Sequence, residues 1–295
     1  MNHFEMFFIL NDPEWFACAQ QQKSMSSVHV IPTRFQNGEI SIHLSENITQ
    51  QDVVLLKRFS TNIHEDIFEL LQCVDTLHRM GPRTITLLMP YYPYARQDHN
   101  PLNESQGARL LASILTDLGV QKILTLDIHA PEQLHKFPIE IVNLPTEHFW
   151  GNYLKSFGYN PSEIQIIAAD KSAVSRAQQI GTALGCSWGY VNKQRDAHGA
   201  VQITETIGIS SEKRIFLVDD LIDTGRTIIA AAQTLRQLTP YPIIACVTHC
   251  HLSQTLLPNL LSSGISQLIT TNTIKCAMPS NNITRLNAFS MLWQL

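Results

Sequence analysis

Short apolar runs alternate with longer amphipathic stretches along this chain, and the alternation restricts its possible folds more than any other feature. The short runs are rich in β-branched residues, whereas the longer stretches carry apolar residues at three- and four-residue spacing. Such alternation is typical of α/β units built on mainly parallel sheets. We predict strands at 6–10, 53–56, 84–89, 123–126, 164–168, 188–191, 215–218 and 243–248, and helices at 67–80, 106–118, 172–184 and 226–238.

The length and apolar content of the chain favour two domains. Its 295 residues and 44% hydrophobic content supply apolar side chains for two cores. Residues 143–162 contain Pro145 and Gly158 and show no sustained period, so we place the boundary there. We therefore predict one α/β domain at 1–145 and a second at 146–295.

The charge content argues against a polyanionic partner. Charged residues make up 16% of the chain, with 21 basic against 25 acidic side chains. A protein that neutralises a nucleic-acid backbone or an anionic membrane needs a basic surface, and none is evident. We expect small-molecule ligands, no nucleic acid and no membrane.

The six cysteines are scattered without the regular spacing of a disulfide framework. Several lie in apolar runs, where reduced thiols commonly pack, so we expect a reducing, cytoplasmic compartment. The apolar run at 6–10 is too short for a membrane span and lacks a basic leader, and we interpret it as a buried strand. Cys246, His249, Cys250 and His251 are a possible zinc cluster, but a second ligand pair at zinc-finger distance is missing.

The strongest local signal is an apolar run at 215–218 that leads into an acidic and then a Thr/Gly-rich segment. Carboxylates leaving a buried strand can accept hydrogen bonds from vicinal ribose hydroxyls or reach a Mg²⁺ shell, although an Asp-Asp pair can also merely cap the next helix. A short hydroxyl-bearing loop at a helix N-terminus suits a phosphate monoester. The candidate residues for a sugar phosphate are Asp219, Asp220, Asp223, Thr224, Gly225, Arg226 and Thr227.

This string resembles the phosphoribosyl pyrophosphate-binding motif that phosphoribosyltransferases share with ribose-phosphate pyrophosphokinases. The motif alone does not choose between those families. Other segments resemble only the pyrophosphokinase, and they occur in the family's order at 34–39, 90–98, 126–130, 169–170, 193–195, 248–249 and 271–274. The resemblance implies two similar α/β domains of phosphoribosyltransferase-like type.

The same resemblance implies a nucleotide site. Phe35, Asn37 and Glu39 lie in the segment similar to the family's adenine-binding loop, which in that family serves a neighbouring subunit. Arg96 and Gln97 lie in the segment similar to its ATP motif. The resemblance therefore implies a homo-oligomer, a dimer or hexamer, with a shared ATP site.

His129 and Asp170 match metal-binding positions, and Lys193 and Arg195 match the start of a catalytic flexible loop. Taken alone, His129 could be structural, Asp170 could cap a helix, and the segment from Lys193 could be a solvated turn. The resemblance implies Mg²⁺ as cofactor and transfer of the β,γ-diphosphate of ATP to the 1-hydroxyl of ribose 5-phosphate.

The chain also departs from the family. Gln194 replaces a basic residue, Arg226 occupies a position where a small residue is usual, and 99–105 lack the basic residues linked to regulation. We therefore expect weak dependence on inorganic phosphate. Two other functions remain open: a phosphoribosyltransferase, and a catalytically weak regulatory paralogue of the synthase.

Overall fold

The computed structural model describes residues 6–21, 26–97, 103–195, 201–251, 257–276 and 281–292 of the chain. They form two compact units. The first holds the described residues up to Leu144 together with Leu292, and the second runs from Pro145 to Met291. Each unit has its own sheet and core, and each is described by itself.

The first unit contains a parallel sheet, a separate hairpin and flanking helices. Its strands are β1 (Met6–Leu10), β2 (Ser26–Val30), β3 (Thr33–Arg34), β4 (Ile40–Ser41), β5 (Asp52–Leu56), β6 (Thr84–Leu88), β7 (Lys122–Leu126) and β8 (Glu140–Leu144), and its helices are α1 (Pro13–Gln20), α2 (Ile63–Arg79) and α3 (Gly107–Asp117). The sheet order is β2-β1-β5-β6-β7-β8, with every pair parallel, while β3 and β4 pair only with each other. Central strands buried on both faces explain the unbroken apolar runs of the sequence.

Helix α2 shows how the sequence pattern becomes packing. Leu70, Val74 and Leu77 recur at helical spacing and are fully buried in the core of the first unit. Each such side chain contributes about 2 kcal/mol by leaving water. Phe68 lies on the other side of the helix and is 59% exposed.

The second unit contains a larger sheet. Its elements are α4 (Glu147–Lys155), β9 (Ile164–Ala168), α5 (Val174–Leu184), β10 (Ser187–Arg195), β11 (Val201–Ile207), β12 (Arg214–Ile222), α6 (Arg226–Leu238), β13 (Ile243–Cys250), α7 (Leu257–Ser262), β14 (Ile265–Thr271), β15 (Ile283–Leu286) and, up to Met291, α8 (Phe289–Leu292). The strand order is β11-β10-β9-β12-β13-β14-β15, and among the strand pairs in the described ranges only β10–β11 is antiparallel. Because parallel strands end at one edge, β9, β12 and β13 bring their carboxyl ends together.

Three local features go beyond the elements predicted from the sequence. The stretch at 143–162 contains helix α4, because Trp150 and Leu154 lie one turn apart and are both buried. Strand β12 continues through Asp219 to Ile222 because β13 extends alongside it. Strand β10 runs to Arg195 because it pairs with β11.

All six cysteines lie in the described ranges, and none forms a disulfide. Every helix in the described part of the chain falls short of the length and hydropathy that a bilayer crossing requires.

Candidate active site

A cleft of about 660 Å³ lies in the first unit beyond the end of β6. Its volume falls within the usual range for small-molecule pockets. Arg96 and Gln97, both predicted to bind ATP, lie in its wall. Tyr91, Pro93 and Tyr94 belong to the same ATP-motif segment at 90–98, whereas the sequence did not single out the remaining wall residues, which are Thr61, Asn62, Ile63, His64 and Glu65.

Tyr94 and Gln97 are held in unusual ways. Tyr94 has a φ of 62°, a conformation rare for a bulky residue and often retained at functional sites. Its hydroxyl lies 3.1 Å from His64 Nδ1. Gln97 Oε1 accepts a 2.6 Å hydrogen bond from the N–H of Gly107 at the start of α3, which anchors the amide group of Gln97 by its oxygen.

The segment predicted to bind adenine forms the turn of the β3–β4 hairpin. The N–H of Phe35 donates to the carbonyl of Glu39 over 2.9 Å, and Asn37 Oδ1 accepts from the N–H of Glu39 over 3.1 Å. Gly38 has a φ of 89°, which the turn requires and which glycine adopts without strain. The ring of Phe35 is 53% exposed, so it faces outward instead of packing in the core of its own unit.

His129 follows β7 in a short connection of unusual geometry. Asp127 is buried with a φ of 46°, and the N–H of Ile128 donates to Asn143 Oδ1 over 2.9 Å. His129 is half-buried. The left-handed backbone at Asp127 and the hydrogen bond between Ile128 and Asn143 therefore fix the main chain next to His129.

Asp170, Lys193 and Thr227 meet at the carboxyl edge of the second sheet. Asp170 Oδ1 accepts from the N–H of Ser172 over 2.8 Å, so the capping role is real, while its Oδ2 forms an ion pair with Lys193. Lys193 Nζ also donates to Thr227 Oγ1 over 2.9 Å. Although burial alone would raise it, the pKa of Asp170 is lowered because Lys193 and Ser172 hydrogen-bond the carboxylate.

Lys193 was expected in a mobile loop but lies on strand β10, where pairing with β11 directs its side chain towards β9 and α6. Of Arg195, the structure describes only the backbone, which belongs to the same strand; its side chain lies outside the described residues. The same holds for Gln194, and residues 98–102 also lie outside them.

Asp219 and Asp220 lie inside β12 and are each 6% exposed. Burial raises the pKa of the Asp219 carboxyl well above its ordinary value, and the negative charges of Asp220 and Asp170 raise it further. The N–H of Asp220 donates to Asp219 Oδ1 over 3.0 Å. The pair is therefore an accumulation of buried negative charge that a cation or a hydroxyl donor would relieve.

The loop after β12 leads directly into α6. Gly225 is buried, has a φ of 73° and forms the N-cap of α6 without a side-chain hydrogen bond. Asp223, Thr224 and Arg226 are exposed around it. Backbone N–H groups at such a helix start are suited to an anion.

The zinc alternative has no structural support. Cys246 packs in a core cluster with Trp150, whereas Cys250 packs in a different one. His249 Nδ1 lies 2.9 Å from Thr273 Oγ1, which in turn donates to the carbonyl of Thr248 over 3.1 Å. The segments at 248–249 and 271–274 are therefore joined by buried hydrogen bonds.

A divalent ion fits the oxygen-rich part of this site if substrate oxygens complete its shell. Among the described residues, no group of three or more His, Cys, Asp or Glu side chains is placed to hold a metal ion by itself. Mg²⁺ is commonly bound through one or two carboxylates with phosphate oxygens and water. The carboxylates of Asp170, Asp219 and Asp220 are oxygen donors of that kind. Asp170 and Asp220 lie close enough to Asp219 to raise its pKa.

Two family descriptions match the chain in tandem: the N-terminal domain of ribose phosphate pyrophosphokinase at residues 15–119, and the phosphoribosyl transferase domain at residues 146–277. The ribose-phosphate pyrophosphokinase of Bacillus caldolyticus is 34% identical over 243 residues, which cover 82% of this chain and 76% of the relative. That of Helicobacter pylori is 29% identical over 260 residues, covering 88% and 81%.

The fold has a solved counterpart. A crystal structure of phosphoribosylpyrophosphate synthetase from Mycobacterium smegmatis matches with a TM-score of 0.87 at 24% identity, covering 98% of this chain and 97% of that one. The predicted α/β fold is thus confirmed. Two consecutive family matches and relatives above 30% identity over most of both sequences lead to one conclusion: the chain belongs to the ribose-phosphate pyrophosphokinase family.

Proposed function

We propose that this chain transfers the β,γ-diphosphate of Mg²⁺-bound ATP to the 1-hydroxyl of ribose 5-phosphate, as its family name indicates. The ribose 1-oxygen forms a bond to the β-phosphorus while the bond from that phosphorus to the α,β-bridging oxygen breaks. The products are phosphoribosyl pyrophosphate and AMP, and the hydroxyl proton is released.

The observation that carries the proposal is the meeting of Lys193 with Asp170 and Thr227. It combines a cation for phosphate charge, a carboxylate for a metal and a hydroxyl for a phosphate monoester. Diphosphoryl transfer depends mainly on positioning and on charge neutralisation, so these groups supply what the reaction needs. We assign Lys193 and Arg195 to the transferring phosphates.

The sugar phosphate is assigned to the second unit. Asp219 and Asp220 would accept hydrogen bonds from the ribose hydroxyls, and the segment Asp223, Thr224, Gly225, Arg226 and Thr227 would bind the 5-phosphate at the start of α6. Asp170 is assigned as a metal ligand in the second unit and His129 as a metal ligand in the first, and Mg²⁺ would supply charge neutralisation to the phosphate oxygens.

The nucleotide is assigned to the first unit. Arg96 offers a planar fork for phosphate oxygens, and the amide nitrogen of Gln97 can donate to the nucleotide. The outward ring of Phe35, with Asn37 and Glu39, would hold the adenine of a neighbouring subunit. We therefore propose a homo-oligomer that acts in the cytoplasm.

Release of AMP from ATP and purified protein, dependent on ribose 5-phosphate, tests the activity. Turnover that requires both substrates and a divalent cation supports it. Loss of phosphoribosyl pyrophosphate in the presence of a nucleobase would favour a phosphoribosyltransferase, although that function leaves the match at residues 15–119 unexplained. Binding of both substrates without turnover would favour a regulatory paralogue.

Subunit complementation tests the shared site. A Phe35→Ala/Asn37→Ala variant and a His129→Ala variant should each be nearly inactive, and mixed oligomers should regain activity because some sites then combine two intact halves. If subunits exchange and activity does not return, the hairpin acts within its own chain.

A further inference from the structure

A network of charged side chains joins the β3–β4 hairpin to helix α2. Lys57, just after β5, is fully buried, and its Nζ lies 2.7 Å from Asp66 Oδ1 and 2.8 Å from Glu69 Oε2. Glu69 is 1% exposed and also accepts from Arg34 over 2.5 Å. Arg34 forms a second ion pair with Glu65.

Stability alone is a poor reason for this arrangement. Taking the ammonium of Lys57 and the carboxylate of Glu69 out of water is unfavourable for each ion, and their attraction often no more than offsets that desolvation. Apolar side chains of similar volume could fill the space. A buried charged network is better explained when it holds a group in one orientation, and the group at its outer end is the guanidinium of Arg34.

The hairpin needs such a tether. Strands β3 and β4 are two residues long each and pair with each other, not with the parallel sheet. Phe35 is the next residue after Arg34, and its ring has no place in the core. The two terminal nitrogens of the Arg34 guanidinium contact Glu65 and Glu69, which lie one turn apart on α2. These two contacts restrict both the distance of the hairpin from α2 and its tilt against the helix.

We infer that Arg34, oriented by the buried Lys57–Glu69 pair, is a positioning residue that holds the Phe35–Glu39 turn ready for the base of the nucleotide. The inference rests on the proposed function, because it assumes that this turn binds adenine. Preorganisation of a binding loop raises affinity by removing the ordering cost from the binding step.

Glu65 gives the tether a further consequence. It pairs with Arg34 and also lies in the wall of the cleft that contains Arg96. The orientation of the hairpin and the shape of this cleft are therefore set by the same first turn of α2.

The test compares Arg34→Ala with the matched control Arg79→Ala. Both arginines lie at the surface and pair with a carboxylate on α2, but Arg79 pairs with Asp75 far from the hairpin. We expect Arg34→Ala to weaken Mg²⁺-ATP binding about fivefold or more in calorimetry and to leave ribose 5-phosphate binding unchanged. Amide exchange at 33–41 should accelerate, and Arg34→Lys should recover part of both losses. Arg79→Ala should change neither.

A Phe35→Ala variant separates this inference from the proposed function. If Phe35→Ala weakens ATP binding while Arg34→Ala does not, the positioning role is wrong and the adenine role stands. If neither variant changes ATP binding, both are wrong. If Arg34→Ala weakens ATP binding without faster exchange in the hairpin, Arg34 contacts the nucleotide itself and the tether is rejected.

Discussion

Lys193 Nζ donates a 2.9 Å hydrogen bond to Thr227 Oγ1, and this contact joins strand β10 to the first turn of α6. The same ammonium pairs with Asp170 at the end of β9. Lys193 therefore contacts one group that we assign to a phosphate and one that we assign to a metal ion. Its proposed catalytic work requires it to exchange these partners for substrate phosphates.

Replacement of Lys193 by alanine should lower kcat about 100-fold or more and change the KM for ATP much less, because the lysine acts on charge that develops late in the reaction. Steady-state kinetics with both substrates measures this. Lys213→Ala is the control, since Lys213 is a surface lysine of the same unit that donates to Ser187. A higher KM with unchanged kcat would assign Lys193 to ground-state binding.

Thr227→Val should raise the KM for ribose 5-phosphate, because it removes a hydroxyl from the candidate phosphate loop while keeping the shape of the side chain. The variant should also lose the hydrogen bond from Lys193 to residue 227 and keep the ion pair between Lys193 and Asp170. Calorimetric titration with ribose 5-phosphate checks the change. Unaltered affinity would move the 5-phosphate away from the start of α6.

Asp219→Asn should make the ligand-free protein more stable while weakening ribose 5-phosphate binding. Burial and two neighbouring carboxylates raise the pKa of Asp219, so the folded state retains a proton more strongly than the unfolded state, and stability falls as pH rises above the ordinary value of about 4. Asparagine removes this cost, and its Oδ1 can still accept the hydrogen bond from the N–H of Asp220.

Urea unfolding should therefore show a gain for Asp219→Asn that is absent below about pH 4 and grows towards neutral pH. Asp75→Asn, at an exposed site on α2, should show no such gain. A variant less stable than the parent at pH 7 would contradict the charge argument.

Asp52 should contribute stability with the opposite dependence on pH. Hydrogen bonds from Arg83 and Thr84 lower the pKa of Asp52 to about 2, so its contribution is full above the unfolded value of about 4 and is lost as pH falls through about 2. Asp52→Asn should abolish the loss of unfolding free energy that this carboxyl group causes between about pH 4 and pH 2. If Arg83→Ala leaves this pH-dependent loss of unfolding free energy unchanged, the Arg83–Asp52 ion pair does not cause it.

Gly107→Ala should damage the nucleotide cleft. A Cβ at Gly107 would lie 2.8 Å from Gln97 Oε1 and 2.9 Å from the Tyr94 ring, closer than atoms can pack. Displacement of Gln97 and Tyr94 should raise the KM for ATP about tenfold or more and change the KM for ribose 5-phosphate little. Gly151→Ala, whose Cβ would meet Ala183 at an ordinary 3.4 Å, is the matched control.

Much of this protein could be predicted without coordinates. The spacing of apolar residues along the sequence distinguishes strands from helices. The predicted strand at 164–168 and the predicted helix at 226–238 have the same bounds as β9 and α6. The family followed from the strings around Arg96, His129 and Asp219, and the comparisons confirm it. These features are local, because each depends on neighbours in the sequence and on side-chain type.

Other features depended on the tertiary structure. Lys193 looked like part of a solvated turn until its strand paired with β11, because the polar residues around Lys193 carry no strand pattern of their own. Arg34, Lys57 and Glu69 are separated by 35 positions or fewer and carry no shared motif, yet folding places them in one buried network.

The sequence by itself determined the alternation of elements, the two-domain expectation and the family. Which charges are buried together, which way Phe35 faces and what shape the cleft beside Arg96 takes were decided only by packing. The physical reason is that propensity and hydrophobic period act over a few residues, whereas desolvation and charge pairing depend on which surfaces the whole fold brings into contact.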